Sequence, residues 1–193
     1  MSVSSSQVKA YEAGSNVTPS YTASLSKGSY QYGPDTGVTA TSWNVQFNGE
    51  TKATASGSFS EIQVTDSTNL KITATAEYGD GAIPVTNLGT PKEELKIVAG
   101  SKSNSTGAIT SYRQIFYGVD NSTDPLTSTI IRSLTATNKA AAGMTINSIK
   151  AKADTKRIII AVPQASGLKV KAANITSSLN ADVTSSYVKQ SAV

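Results

Sequence analysis

The sequence predicts a mainly β protein, in which an N-terminal β-sandwich is followed by a second β-rich domain with one or two short helices. Apolar and polar residues alternate with a period of two over residues 43–47 and 70–78, which is the pattern of strands with one buried face. Glycine and proline separate these segments at turn positions. The 193 residues include 28 Ser and 24 Thr, about 27% of the chain and far above ordinary usage. This composition favours a non-catalytic β protein.

The clearest predicted strand covers residues 70–78, where every second residue is apolar and the residues between are Lys, Thr or Glu. A second strand is predicted at Trp43, Val45 and Phe47, which alternate with polar residues. Several short strands at this spacing predict a sandwich of the immunoglobulin-like type, with Trp43 in its core. The chain has no Cys, so it lacks the disulfide of antibody domains.

The dipeptide Asn48-Gly49 predicts a hairpin turn between two strands. A two-residue loop would pair Val45 with Lys52 and place a charge beside the apolar face. An odd-numbered loop would pair Val45 with a neutral residue instead. The alternation therefore predicts a three-residue loop, in which Gly49 adopts the left-handed conformation of a G1 bulge.

Residues 79–94 contain three Gly and two Pro, which is typical of a connector between domains. The charge also changes sign there, from −3 over residues 1–80 to +7 over the remainder. We therefore predict an immunoglobulin-like sandwich over 1–80, a connector over 81–92 and a β-rich domain over 93–193. Opposite charges on two parts of a chain can assist assembly, although scattered surface lysines explain the same numbers.

Strands are also predicted in the second half of the chain. Residues 113–117 and 144–151 are strand candidates, and alternation predicts another strand over 168–172. Residues 157–162 are apolar nearly throughout, which predicts a central strand covered on both faces.

One short helix is predicted near residues 125–134. Asp124 can cap it, Pro125 suits its first position, and an apolar stripe follows. A weaker helix signal is the four-residue spacing of apolar side chains over 179–187.

The composition excludes several kinds of catalytic site. With no Cys and no His, the chain has no thiolate nucleophile, no Ser-His-Asp triad and no zinc site of the usual Cys type. The 13 acidic residues do not cluster, and Asp120 and Asp124 flank a turn without the spacing of a calcium loop. We therefore expect no catalytic residue, no cofactor and no metal, and a protein that is not an enzyme. The enzyme class that stays open is a glycosidase with two carboxylates.

Four of the eight tyrosines are candidates for contact with a ligand or partner, namely Tyr30, Tyr32, Tyr112 and Tyr117. Exposed Tyr among Ser and Asn forms adaptable binding surfaces. The alternative interpretation is that tyrosine simply suits strands.

Several stretches of the sequence resemble proteins of tailed-bacteriophage particles. Two resemble an immunoglobulin-like module, namely GSYQYGP (28–34) and GVTATSW (37–43). Later stretches resemble the module that often follows it, namely GDGAIPVTNLGT (79–90), YRQIFYG (112–118), TSTIIRSL (127–134), TKRIIIAVPQASG (155–167) and SLNADVTSSYVK (178–189). The resemblance implies an accessory virion structural protein, such as a head fibre or tail appendage, and it implies no active site.

The partners implied are other virion proteins, namely capsid, portal-vertex or tail components, and further copies of the chain, three in the case of a fibre. Such a protein is made in the bacterial cytoplasm and is located in the virion. The alternative function is a receptor- or carbohydrate-binding adhesin that attaches to a glycan on the host surface. We expect no nucleic-acid binding, because the basic residues are not interleaved with aromatics. No membrane span is expected, because no apolar run approaches ~18 residues.

Overall fold

The computed structural model describes residues 1–26, 39–87, 90–134, 136–141, 143–146 and 149–164, and for residues 81–87, 90–97 and 136 it describes the backbone alone. These residues form seventeen strands and one short helix, so the protein is mainly β, as the sequence predicts. The chain divides into two compact units, Met1–Ser111 and Tyr112–Val193.

The first fourteen strands are two to eight residues long, and the last of them reaches the boundary between the units. They are β1 (Ser2–Ser4), β2 (Ala10–Glu12), β3 (Asn16–Val17), β4 (Ser20–Ser24), β5 (Ala40–Phe47), β6 (Glu50–Lys52), β7 (Ser56–Ser58), β8 (Ile62–Gln63), β9 (Asn69–Leu70), β10 (Thr73–Tyr78), β11 (Gly81–Asn87), β12 (Thr90–Ile97), β13 (Gly100–Ser105) and β14 (Ile109–Tyr112). The second unit contains β15 (Gln114–Asp120), α1 (Ser128–Ser133), β16 (Ala136–Lys139) and β17 (Arg157–Ala161).

Two sheets contain seven of the fourteen strands described above. The four-stranded sheet has the order β13-β10-β5-β6, and a three-stranded sheet has the order β1-β4-β7. A second three-stranded sheet has the order β2-β14-β9, and the pairs β3–β8 and β11–β12 complete the unit. The four-stranded sheet and the sheet around β4 pair antiparallel throughout, and β5 and β6 are joined by a short turn, whereas the other neighbouring strands are distant in the chain.

The core of the first unit forms where side chains of β4 meet those of β5 and β10. The Phe59 ring lies between the rings of Tyr21 and Phe47, with centroids 5.0 Å and 5.3 Å away. Val45 and Ala74 are completely buried beside them. One apolar layer therefore joins two sheets, which is the arrangement that buries one face of each.

The predicted alternation along residues 70–78 is confirmed. Ile72, Ala74 and Ala76 are completely buried, whereas the residues between them are exposed or half-exposed. The prediction that Trp43 lies in the core is wrong. Trp43 packs against the core cluster but stays half-buried, because that cluster is centred on the last three residues of β5.

Two long segments, 69–78 and 100–112, pair with each other and pass together from one sheet to the next. β10 pairs with β13 in the four-stranded sheet, and β9 pairs with β14 in a three-stranded sheet. Between these pairings, the Ile72 N–H donates to Thr106 Oγ1 (3.1 Å) and the Thr106 N–H donates to the Ile72 carbonyl (2.9 Å). Thr106 is the only polar residue that is buried in the described part of the chain.

The turn at Asn48-Gly49 differs from the predicted bulge. Val45 pairs with Lys52, which leaves a two-residue loop. Both loop residues have positive φ, +47° at Asn48 and +82° at Gly49, as a type I′ turn requires. The prediction of a three-residue loop is therefore wrong.

The charges that argued against this register are accommodated at the sheet edge. β6 is an edge strand, and its Lys52 Nζ lies 2.6 Å from Glu50 Oε1. Glu50 Oε2 also accepts the Ser60 N–H (2.8 Å). Each charged group therefore has an ionic partner or is in contact with solvent. Its position opposite an apolar residue of β5 lowers the stability of the sheet only slightly.

A two-stranded hairpin occupies the segment where the sequence predicts a connector. β11 pairs with β12, with a register shift after Val85. Both strands of such a ribbon are edge strands, so Pro84 and Pro91 remove no hydrogen bond from a central ladder. Because β13 then returns to pair with β10, the boundary between the compact units falls after Ser111 rather than within 81–92.

β15 is the middle strand in the described part of the second unit, where the sheet order is β16-β15-β17. β15 extends the strand predicted over 113–117. The apolar segment 157–162, predicted as a central strand, lies outermost among these three strands, and within β17 only Ile159 is buried. An apolar run specifies that side chains are covered but leaves the number of hydrogen-bonded neighbours open.

The remaining predictions for the second half have different outcomes. The described residues of 144–151 are not in a strand. The strand predicted over 168–172 and the helix predicted over 179–187 lie outside the described residues.

The short helix near 125–134 is confirmed, but it begins at Ser128 and its N-cap is Thr127. The Thr127 hydroxyl accepts the Ile130 N–H (3.3 Å). The predicted cap, Asp124, instead accepts a hydrogen bond from the Ser122 hydroxyl (2.8 Å) within the preceding loop. Its side chain is therefore engaged before the helix starts.

We expect Thr106→Val to lower the free energy of unfolding by about 1–3 kcal/mol, because valine keeps the shape but leaves the buried Ile72 N–H without its acceptor. Urea denaturation of the full chain, followed by Trp43 fluorescence, measures the change. Thr110→Val on the half-buried β14 is the matched control and should change stability by less than about 0.5 kcal/mol. Equal losses in both variants would contradict the assignment.

Candidate binding surface

Of the four predicted contact tyrosines, Tyr117 lies in the sheet of the second unit, and Tyr112 is the last residue of β14, just past the unit boundary. Tyr112 is the first residue of that unit and Tyr117 lies in β15, and both are half-buried. Tyr30 and Tyr32 lie outside the described residues. The predicted residues that the structure describes therefore converge on the neighbourhood of β15 and β16.

The two tyrosines contact adjacent residues of β16. The Lys139 ammonium lies 4.5 Å from the centroid of the Tyr112 ring, and Asn138 Nδ2 donates to the Tyr117 hydroxyl (3.1 Å). Consecutive residues of a strand point to opposite faces of a sheet. The tyrosines are thus brought to one strand but to opposite faces, and they do not form one site.

The face that carries Lys139 also carries a second aromatic ring with a cation above it. Lys139 pairs in register with Gln114, which shares a face of β15 with Phe116. The Arg132 guanidinium of α1 lies 5.5 Å from the centroid of the Phe116 ring. We call Tyr112, Phe116, Arg132 and Lys139 the cation–aromatic face.

Gly118 allows α1 to approach β15 on this face. A Cβ at position 118 would lie 3.3 Å from Leu134 Cδ2, just after the helix. Such a contact is tighter than most side chains make, so a side chain at position 118 would require the Leu134 side chain to shift by a few tenths of an ångström. Gly118 therefore leaves room for Leu134 against β15.

Sequence reasoning missed three members of this face, namely Phe116, Arg132 and Lys139. Residues 136–139 read Ala-Thr-Asn-Lys, which has no apolar alternation and predicts no strand. The signal available was the even spacing of Tyr112 and Phe116. Nothing local to the sequence indicates which cations lie over these rings, because Arg132 and Lys139 come from different elements.

An ion pair closes the other end of β15. Asp120 and Arg157 are paired in register, and Asp120 Oδ2 lies 2.6 Å from Arg157 Nη2 and 2.7 Å from Nε. Arg157 Nη1 also donates to the Asp124 carbonyl (2.6 Å). Arg157 thus ties β17 to the loop that leads into α1. The two acids that flank this turn both take part in hydrogen bonds of the loop.

Among the residues whose side chains the structure describes, two carboxylates have lowered pKa values, and each has a structural cause. The Ser122 N–H and then the Arg157 guanidinium hold the pKa of Asp120 below its usual value. The Lys52 ammonium lowers the pKa of Glu50 in the same direction. A general acid needs a raised pKa to hold its proton near neutral pH. Asp120 and Glu50 are therefore suited to accept hydrogen bonds rather than to donate protons.

A shallow groove of about 360 Å³ lies at the turn end of the four-stranded sheet in the first unit. Gln46, Thr51 and Thr73, which are aligned across three strands, line it together with Lys71. Amides and hydroxyls both donate and accept hydrogen bonds. The groove can therefore hold a polar, hydroxyl-bearing ligand at the surface.

Known proteins do not assign a function to these surfaces, because comparisons with family models, curated proteins and solved structures find no match. Among the described residues, no three acidic side chains converge as ligands for a metal ion. In the same residues no helix has the length and apolar character needed to cross a membrane. The surfaces are therefore interpreted from their own chemistry.

The Asp120 contacts predict a pH dependence of stability. Their contribution is complete above the usual pKa of 3.8 and is lost as the pH falls through the lowered pKa of the folded state. We therefore expect the melting temperature to decrease when the pH is lowered below about 4. In the Asp120→Asn variant this decrease should be smaller. Differential scanning calorimetry of the full chain at several pH values measures it.

A second variant separates the two causes of the lowered pKa. Arg157→Gln removes the cation but keeps the Ser122 N–H, so it should retain part of the pH dependence. If the melting temperature of Asp120→Asn changed with pH in parallel to that of the unmodified protein, other groups would be responsible for the loss of stability at acid pH.

Proposed function

We propose that the chain is a non-enzymatic structural protein of a tailed-bacteriophage particle, either a head fibre or a tail-associated appendage, that assembles on other virion proteins. The sequence resemblance suggests the virion class. The observation that best supports a structural rather than a catalytic role is the engagement of Asp120. Its carboxylate joins β15, β17 and the loop before α1, and its pKa is lowered.

The outward hydroxyls of the first unit support the same role. Thr73 and Ser105, and likewise Thr75 and Ser103, are cross-strand pairs whose hydroxyl oxygens lie 2.8 Å apart. Such pairs strengthen a sheet on its wet face. They need no disulfide, and the chain has no thiol to oxidise. This chemistry suits a protein that must persist outside a cell.

Two edge strands of the first unit oppose attachment by strand addition. β6 and β7, at the edges of their sheets, are three residues long, and β6 carries the Glu50–Lys52 ion pair. Short, charged edge strands oppose the addition of a further strand. Contacts with neighbours in a particle are then expected to use side chains on sheet and helix faces.

Immunogold electron microscopy of purified virions with an antibody against this chain tests the proposal. We expect a label at defined positions on the particle, because a structural component stays bound after purification. An antibody against a host cytoplasmic protein is the control. Unlabelled virions from cells that express the chain would contradict the proposal.

A receptor- or carbohydrate-binding adhesin is the second candidate function. The groove beside Gln46 and Thr73 favours it, because neutral amides and hydroxyls match the hydrogen-bonding groups of sugars. This candidate places the ligand on the first unit, whereas the Tyr112 and Tyr117 contacts belong to the second.

A glycan array measures this second candidate. If the groove binds sugar, Gln46→Ala should reduce binding at least about tenfold, the loss typical of one or two hydrogen bonds in a ligand site. Asn44→Ala, one exposed position along the same strand face, is the matched control. An array without any bound glycan would leave only the scaffold role.

A further inference from the structure

We propose that the cation–aromatic face of the second unit is the docking surface for an acidic protein surface on the particle. This inference rests on the proposed function, because it names the chemistry of the partner that a virion appendage would meet.

The distribution of charge favours an acidic partner. Residues 112–193 contain ten basic and four acidic side chains, a net charge of +6, whereas residues 1–111 carry −2. One of those four acids, Asp120, is already paired with Arg157 at the other end of β15. On the cation–aromatic face itself, Lys139 and Arg132 are both exposed.

Both cations are positioned by the rings beneath them. Lys139 stands on a strand with its ammonium 4.5 Å from the Tyr112 centroid, and Arg132 stands on a helix 5.5 Å from the Phe116 centroid. A long side chain that is already held loses less conformational entropy when a carboxylate binds it. The face thus presents two ordered positive groups rather than two free chains.

The rings also discriminate between kinds of partner. Single-stranded nucleic acid needs aromatic faces that are free to stack with bases, and here a cation already lies over each ring. Small ligands prefer concave sites, whereas this is the face of a sheet beside a helix. Tyr, Phe and Arg are enriched at protein–protein interfaces. A folded protein surface that bears carboxylates therefore fits best.

Binding of poly-L-glutamate to the full chain, measured by biolayer interferometry at low ionic strength, tests the inference. Lys139→Gln should weaken binding by about 3–10-fold, the loss expected for one ordered charge contact. Lys102→Gln makes the same change of net charge on an exposed position of the first unit and should weaken binding less than about twofold. Added salt should weaken binding of the unmodified protein.

Tyr112→Leu keeps every charge but removes the ring that positions Lys139, so it should weaken binding by about 2–3-fold. Circular dichroism melting establishes that each variant folds. If Tyr112→Leu unfolds, the comparison of Lys139→Gln with Lys102→Gln decides the question by itself.

Three results would overturn the inference: no binding of poly-L-glutamate, equal weakening by Lys102→Gln and Lys139→Gln, or tighter binding of polygalacturonate or single-stranded DNA. Immunogold-labelled virions combined with any of these results would reject this docking surface and leave the virion role standing. Unlabelled virions would reject the virion role, whatever poly-L-glutamate does.

Discussion

The reciprocal hydrogen bonds between Thr106 and Ile72 are the constraint on which the architecture of the first unit depends. At this point the long strand pair leaves one sheet and enters another, so the regular ladder is interrupted inside the apolar core. A buried N–H without an acceptor is costly, and the Thr106 hydroxyl supplies that acceptor (3.1 Å). The same hydroxyl donates to the Gly107 carbonyl (2.7 Å). The junction thereby lets one pair of segments serve two sheets.

Tyrosine and glycine are matched across strands on both sides of this core. Tyr21 lies opposite Gly57, and Tyr78 lies opposite Gly100, with each tyrosine hydroxyl 3.2 Å from where a glycine Cβ would be. An aromatic ring over a cross-strand glycine covers backbone that has no side chain of its own. These tyrosines therefore follow the interpretation in which Tyr suits strands. The structural and binding interpretations thus apply to different tyrosines, since among the described tyrosines Tyr112 alone lies on the proposed docking surface.

Polar chemistry is divided between the two units. In the first, hydroxyls and amides cover the wet face of the four-stranded sheet, and its ion pair is confined to an edge strand. In the second, cations stand over aromatic rings, and the paired acid, Asp120, holds a loop. In both units, polar groups stabilise strands and loops or are available to contact a partner. This division is the physical basis on which we favour a structural protein with a charged docking surface over an enzyme.

The amino-acid sequence by itself determined the features that depend on neighbouring residues. These are the mainly β class, the alternation over 70–78, the hairpin at Asn48-Gly49 and a short helix within 125–134. Each of them follows from side-chain period or from turn and cap chemistry, which act over a few residues.

The tertiary structure decided whatever requires a partner distant along the chain. The hairpin register depended on β6 being an edge strand, where Lys52 and Glu50 pair with each other. The unit boundary depended on β13 returning to β10, and the Asp120–Arg157 pair joins residues 37 positions apart. The same distinction applies to the candidate site. Tyr112 could be predicted from the sequence as a tyrosine near a strand, whereas Lys139 contacts the Tyr112 ring only because β16 pairs with β15. Local patterns specify which side chains are covered, but hydrogen-bonded neighbours and charge partners are chosen when distant segments meet.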